Sequence, residues 1–255
     1  MHIAEHTFVI TGGASGLGAA SAQHLLTQGA SVVLLDINQE AVEAQAQRLG
    51  KHALGIACDI CDAEQVQHAL DAAVERFGGL HGLINCAGVV GAQRILGRNA
   101  PHPLEDFSRV LQINVVGSFN MLRLTAQIMA NNQPNEQGER GVVINTASIA
   151  AYDGQLGQAA YAASKGAIVS LTLPAARELA RYGIRVMTIA PGVFETPMMA
   201  GMTEEVRAGL CADVPFPARL GKPDEYAALV QHIIENTMLN GEVIRLDGAL
   251  RMGVK

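Results

Sequence analysis

The chain contains no run of lysine or arginine, and 24 acidic residues against 18 basic ones leave it at −6. Binding to nucleic acid or to an anionic membrane is therefore not expected. No stretch of eighteen apolar residues occurs, so no bilayer-spanning helix is expected either. The opening "MHIAEHTFVITGG" enters an apolar strand within a few residues, without the pattern of a cleavable signal or transit peptide. These absences lead us to expect a soluble, cytoplasmic protein. Cysteine is scarce as well, with four in the chain. Cys58 and Cys61 form a CxxC that reads as a redox pair, as half a zinc site, or as two buried thiols. Zinc would need four ligands, and no second CxxC is present, so no metal is expected. At a strand end, buried thiols are the expectation.

Glycine, in contrast, is abundant: 27 residues are too many for a helical bundle and follow no collagen-like period. Short apolar runs at 7–11, 31–36, 53–59, 80–88, 141–148, 184–191 and 241–248 alternate with helical patterns such as "EAVEAQAQRLG" and "AEQVQHALDAAVERFG". Near-continuous apolar runs suit strands buried on both faces. This alternation predicts an α/β fold: one domain over 1–255, with a doubly wound, parallel, seven-stranded sheet of Rossmann type. Two polar interruptions stand out, 91–103 and "NNQPNEQGERG" (131–141), and the second reads as a surface loop.

"TGGASGLG" (11–18) follows the first strand and opens a helix. Glycine there permits a tight turn and lets a pyrophosphate approach the unpaired N–H groups of a helix N-terminus. The spacing of Gly12, Gly16 and Gly18 is TGxxxGxG rather than the common GxGxxG. Its place between strand and helix is what makes it a dinucleotide signal. Asp36 ends the second strand, where such folds carry an acid for the adenosine ribose. The alternative is an acid that caps the next helix. Two unit charges about 4 Å apart at an effective dielectric near 20 repel by roughly 4 kcal/mol, so Asp36 would disfavour a 2′-phosphate. Ile37 supplies no compensating cation, and NAD is the expected cofactor.

"AAYAASKGAI" (159–168) places Tyr161 and Lys165 four positions apart, on one face of a helix. Lowering a phenol from about 10 by three units takes roughly 4 kcal/mol. One ammonium about 4 Å away, at a dielectric near 20, supplies that order of energy. With a positively charged cofactor beside it, Tyr161 would become a base for alcohol oxidation and an acid in the reverse direction. The plain alternative is a surface pair. Ser148 ends the fifth strand, where a parallel sheet opens its crevice, and its hydroxyl can orient a substrate oxygen. Asn114, polar within an apolar helix face, would hold a water or satisfy a buried backbone group.

TGxxxGxG, Asp36, "NCAG" (85–88), Asn114, Ser148, "YAASK" and "PG" (191–192) resemble the short-chain dehydrogenases/reductases in order along essentially the whole chain. The resemblance implies a Ser148–Tyr161–Lys165 centre supported by Asn114, with Lys165 also binding the nicotinamide ribose. It implies cofactor contacts from Gly12, Ser15, Gly16, Leu17, Gly18, Asp36, Asp59, Ile60, Cys86, Ala87, Gly88, Pro191, Gly192, Val193 and Thr196. Of these, Asp59 and Ile60 would meet adenine, and Thr196 the nicotinamide or phosphate side. Cys86 departs from the usual second asparagine of NNAG, a position expected to support the sheet more than the chemistry.

The segment after Pro191, about 193–218, reads as a substrate lid. Met198, Met199 and Met202 offer adaptable apolar surface or ordinary packing. Gln155 and Gln158 lie between Ser148 and Tyr161 and face either substrate or solvent. "VPFPARLGKPDEYAALVQ" and "NGEVIRLDGALRM" resemble more narrowly the type 2 3-hydroxyacyl-CoA dehydrogenases, a group that includes 17β-hydroxysteroid dehydrogenase type 10 proteins. That implies NAD-linked, reversible oxidation of short or branched (S)-3-hydroxyacyl-CoA, some tolerance for steroids, and a homotetramer. The rival readings are a hydroxysteroid dehydrogenase, an NADPH-linked 3-oxoacyl-[acyl-carrier-protein] reductase, and a nucleotide-binding scaffold.

Overall fold

A computed structural model describes residues 1–199 and 204–254. Seven strands form one sheet: β1 (Thr7–Thr11), β2 (Ser31–Asp36), β3 (Ala53–Ala57), β4 (Gly82–Asn85), β5 (Gly141–Thr146), β6 (Ile184–Pro191) and β7 (Val243–Leu246). All neighbours are parallel, in the order β3-β2-β1-β4-β5-β6-β7. The expected sheet is found. Four strands stop short of their apolar runs, because the last residues of those runs leave the ladder to build loops at the carboxyl edge.

The helices are α1 (Gly16–Thr27), α2 (Gln39–Leu49), α3 (Ala63–Phe77), α4 (Leu104–Leu111), α5 (Ser118–Met129), α6 (Ala159–Leu179), α7 (Glu204–Ala212) and α8 (Pro223–Glu235). A single π-helical stretch, Gln112–Gly117, joins α4 to α5. Among the described residues no helix is long and apolar enough to cross a membrane. The period-2 alternation of strand side chains sorts the core into two layers. Phe8 and Ile10 of β1 pack with Leu25 of α1 and Ile233 of α8, whereas Val9 packs with Leu70 of α3 and Met121 of α5. Helices thus cover both faces, and the strand order reverses between β1 and β4. There the connections leave in opposite directions and a crevice opens above the carboxyl ends of the strands.

Two expectations are sharpened. The thiols of the CxxC are free, and burial followed by the Asp59 carboxylate pushes both up to about 11. A thiol held that far up stays protonated at neutral pH and is a poor nucleophile. The polar stretch 131–141 is mostly exposed, as a surface loop should be, but Glu139 departs from it. Glu139 is buried and its Oε1 lies 2.7 Å from Arg185 Nε and 2.7 Å from Nη2, inside β6. Arg185 spends its remaining donors on the carbonyls of Ile233, Ile234 and Leu239 at 2.8–2.9 Å. This pair ties the loop before β5 to the end of α8. Glu139→Ala would leave a buried guanidinium without its counter-charge, and we expect it to cost about 3–5 kcal/mol, read as a lowered denaturation midpoint at unchanged m-value.

Candidate active site

The glycine loop bridges β1 and α1, and its geometry depends on missing Cβ atoms. Gly12 has φ +62°, and a Cβ there would sit 3.0 Å from the Ala87 nitrogen at the end of β4. A Cβ on Gly18 would run into the Gly12 carbonyl oxygen. The loop is therefore pressed flat against both the helix start and the neighbouring strand. Ser15 is the N-cap of α1, but its side chain makes no capping bond, and the first turn carries no acid. The N–H groups of Gly16, Leu17 and Gly18 are accordingly left for an anion, helped by the helix dipole. Thr196 approaches this turn from the far side, its Cβ 3.6 Å from where a Gly16 Cβ would stand. These features fit the pyrophosphate of a dinucleotide.

Asp36 ends β2, half-buried, with Oδ2 accepting from the Ala14 N–H at 3.3 Å and Oδ1 from the Asn38 N–H at 3.1 Å. It thereby holds the glycine loop. The cap of α2 is Asn38, whose Oδ1 accepts from Ala41 N, and not Asp36. Asp59 follows β3, and its carboxylate is occupied by the Cys61 N–H at 2.9 Å. The Ile60 side chain points into the core, where a Cβ on Gly117 would meet it at 2.6 Å. Any adenine contact at this point would come from Asp59 and the local backbone more than from the Ile60 side chain.

Thr11 was not among the residues singled out in the sequence, although it opens the TGxxxGxG motif. It is fully buried, and its hydroxyl accepts from the N–H groups of Cys86 (3.1 Å) and Ala87 (3.0 Å). It thereby satisfies two backbone donors that β4 leaves behind at the switch point. Cys86 lies deeper, with Sγ 3.7 Å from both the Tyr226 hydroxyl and Thr146 Oγ1. That location agrees with a supporting part for Cys86, and it adds Tyr226 and Thr146 (2.7 Å apart) as a buried floor.

Gly88, Asn114 and Lys165 meet: a Cβ on Gly88 would lie 3.1 Å from Asn114 Oδ1 and 3.6 Å from Lys165 Nζ. Asn114 sits in the π-helical stretch, a distortion that often marks functional positions. Its Oδ1 accepts from Val89 N at 2.8 Å, and Nδ2 donates to Val89 O and to Ser164 Oγ, both at 2.9 Å. The side chain satisfies buried backbone, as the second expectation has it.

Ser148 follows β5 and caps a short 3₁₀ turn, Ile149–Ala151, with Oγ accepting from Ala150 N at 3.1 Å. Tyr161 and Lys165 are on α6, whose small residues let it lie against the end of β5. Ser148 stands beside the Tyr161 phenol and favours its ionised form, and Lys165 Nζ lies 5.7 Å from the phenol ring centre. The surface-pair reading is excluded, because Lys165 is only 6% exposed and donates to the Thr146 carbonyl at 2.8 Å.

The expected electrostatics need one correction. Burial raises the Tyr161 phenol above its usual value, and the Ser148 hydrogen bond only partly offsets this. Lys165 is itself depressed to about 8 by burial. The reason is that the lysine lies beside the ring and shares the same dry surroundings. Removing water from both groups outweighs their mutual attraction.

On the substrate side, Pro191 ends β6 and Gly192 N bonds to Leu246 O at 2.9 Å. Val193 packs with the group formed by Ile149, Val214 and Leu250. Gln155 and Gln158 are half-buried and bonded to each other, Gln158 Oε1 accepting from Gln155 N at 3.1 Å. Within the lid, Met199 closes a 3₁₀ turn (Pro197–Met199) and is half-buried. The Met198 side chain and Met202 lie outside the described residues.

A glycine cradle at a strand-order reversal, with serine, tyrosine and lysine along the next carboxyl ends, is the architecture of a nicotinamide-dependent oxidoreductase. Residues 6–207 match the family described as short chain dehydrogenase, and the chain belongs to that family. It is 56% identical to human "3-hydroxyacyl-CoA dehydrogenase type-2" over 246 residues, covering 96% of this chain and 94% of the human protein. Among solved structures it is similar to 3-hydroxyacyl-CoA dehydrogenase type-2 from Mycobacterium avium. That match has TM-score 0.95 and 40% identity, and covers 100% of both chains. A 3-ketoacyl-(acyl-carrier-protein) reductase from Brucella melitensis complexed with NADH has TM-score 0.87 and 30% identity, covering 98% of this chain and 100% of that one.

Thr11→Val keeps the side-chain shape but strands two N–H groups. We expect a stability loss of about 1–3 kcal/mol together with weaker cofactor binding, read by chemical denaturation and by dinucleotide titration.

Proposed function

We propose that the chain catalyses the reversible, NAD-linked oxidation of short or branched (S)-3-hydroxyacyl-CoA to the 3-oxo thioester. The observation that carries this reading is the buried Tyr161–Lys165 pair, with Nζ 5.7 Å from the phenol ring centre and Ser148 beside the phenol, next to the glycine cradle. The substrate class is supported by the relatives of that name, which align along nearly their whole length. When bound, the nicotinamide takes up the hydride from the carbinol carbon. Ser148 holds the substrate oxygen, and Tyr161 removes its proton, returning it in the reverse direction. Lys165 supports the ionised phenol and reaches the ribose side. A preference for NAD over NADP is supported by Asp36 and by the exposed, uncharged Ile37.

A homotetramer is supported by the half-exposed Val116 and Phe119 on the α4–α5 unit. A reducing, cytoplasmic setting is supported by four free cysteines.

The test is NADH formation from a panel of (S)-3-hydroxyacyl-CoA thioesters, with hydroxysteroids and carrier-protein thioesters alongside, each run with NAD and NADP. We expect thioester-CoA turnover and a kcat/KM about a hundredfold higher with NAD, the preference left once solvent screening reduces the roughly 4 kcal/mol of Asp36 repulsion. Turnover of steroids alone, or a preference for NADP, would overturn the reading.

The raised phenol also has a pH signature. Below its pKa Tyr161 is protonated and unable to accept, so oxidative kcat/KM should rise steadily from pH 6 into the alkaline range. Reductive kcat/KM should stay level over the neutral range and fall only at alkaline pH above the phenol's ordinary value, where the proton donor is lost. Stopped initial-rate profiles in both directions check this, and Tyr161→Phe should abolish both.

A further inference from the structure

Between Ser148 and Tyr161 the chain runs through a loop, residues 152–158, that carries Gln155 and Gln158. It is the far end of the chain that holds this loop. From the end of β7, Arg245 Nη2 reaches Asp153 Oδ2 at 2.6 Å, while its Nε reaches Asp247 Oδ2 at 2.6 Å. The same Nη2 donates to Leu250 O at 2.8 Å, and the guanidinium carbon lies 5.1 Å from the Tyr152 ring centre. Asp247 is bound in turn by Arg251 Nη1 at 3.2 Å and by Ala249 N at 3.0 Å. Its Cα lies where a Cβ on Gly192 would come within 2.9 Å. Two further bonds complete the attachment: Leu156 N to Val254 O at 3.0 Å, and Gln155 Nε2 to Gly253 O at 3.3 Å.

The two ion pairs of Arg245 are covered. The Arg245 and Asp153 side chains are each 20% exposed and Asp247 only 7%. A planar guanidinium that spans two carboxylates in that setting fixes direction as well as distance, as a flexible exposed pair does not. Leu250 continues the connection by packing on Ile149, next to Ser148, and on Val214, just beyond α7.

We propose that Arg245 is a positioning residue for the substrate side of the site. By clamping Asp153 to Asp247 it sets the 152–158 loop, and with it the bonded Gln155–Gln158 pair that stands between Ser148 and Tyr161. The glycine loop of the cofactor cradle lies on the other side of the switch point; the clamp meets the expected cofactor residues only where Asp247 packs against Gly192 and Leu250 against Val193, and Asp247 keeps its Ala249 and Arg251 partners when Arg245 is replaced. Describing that wall as one for an acyl thioester rests on the function proposed above; the clamp itself does not.

The experiment compares Arg245→Met, Arg245→Lys and Asp153→Asn with the unaltered chain. The substrate is whichever alcohol the unaltered chain oxidises best. If that alcohol is no thioester, the substrate reading fails while the clamp is still tested. For Arg245→Met we expect the alcohol KM to rise about tenfold, with kcat within about twofold and the NAD KM unchanged. Arg245→Lys should recover part of the loss. Asp153→Asn should raise the alcohol KM by a smaller factor, and combining it with Arg245→Met should add nothing, because both break one connection. An unchanged alcohol KM, or alcohol and NAD KM values rising together, would overturn the proposal. Should Arg245→Met fail to fold, Asp153→Asn decides: it leaves the Arg245–Asp247 pair in place, and an unchanged alcohol KM in that variant rejects the clamp.

Discussion

Two backbones come unusually close where the strand order reverses, Gly12 of the loop after β1 against Ala87 after β4. Everything that binds or reacts is arranged around that approach. It is possible because Gly12 has no Cβ and a positive φ, and because Thr11 accepts both N–H groups that β4 exposes as it leaves the sheet. Widening the gap would pull the glycine loop from the start of α1 and remove the anion-binding turn. It would also separate Gly88 from Asn114 and Lys165. Cofactor cradle and proton-transfer centre are thus two sides of one packing constraint.

Burial decides the electrostatics of that centre. Tyr161 and Lys165 sit on a helix of small residues laid against β5, and both are moved toward their neutral forms. A neutral phenol is the correct state for donating a proton to a carbonyl, whereas oxidation requires its ionisation. Lysine and serine alone do not offset the desolvation in this chain; under the proposed function, a nicotinamide held by the glycine cradle would supply further positive charge that favours the phenolate.

Several residues proved to have a different task from the one their type suggested. Asn114 reads as a relay or a satisfier of backbone, and its amide is spent on Val89 and Ser164, anchoring the turn that carries Gly88. Asp36, expected at the ribose, holds the glycine loop through Ala14. Glu139 lies in a stretch with every mark of a solvated loop, yet it is buried against Arg185. In each case the deciding partner is far away in sequence, so no local pattern could reveal it.

The sequence by itself determined the layout. The alternation of apolar runs with helical periods implied a parallel sheet. The glycine spacing after the first strand implied the dinucleotide turn, and Tyr161, Lys165 and Ser148 carried the chemistry in their spacing and family resemblance. These features are local, or repeat along the chain, and local sequence records them. Only the tertiary structure decided which groups are dry, which hydrogen bonds are already committed, and what holds the substrate loop. The Thr11 bridge spans more than seventy positions and the Arg245–Asp153 clamp about ninety. Burial and such distant pairings arise when separate segments exclude water together, and that is a property of the packed chain.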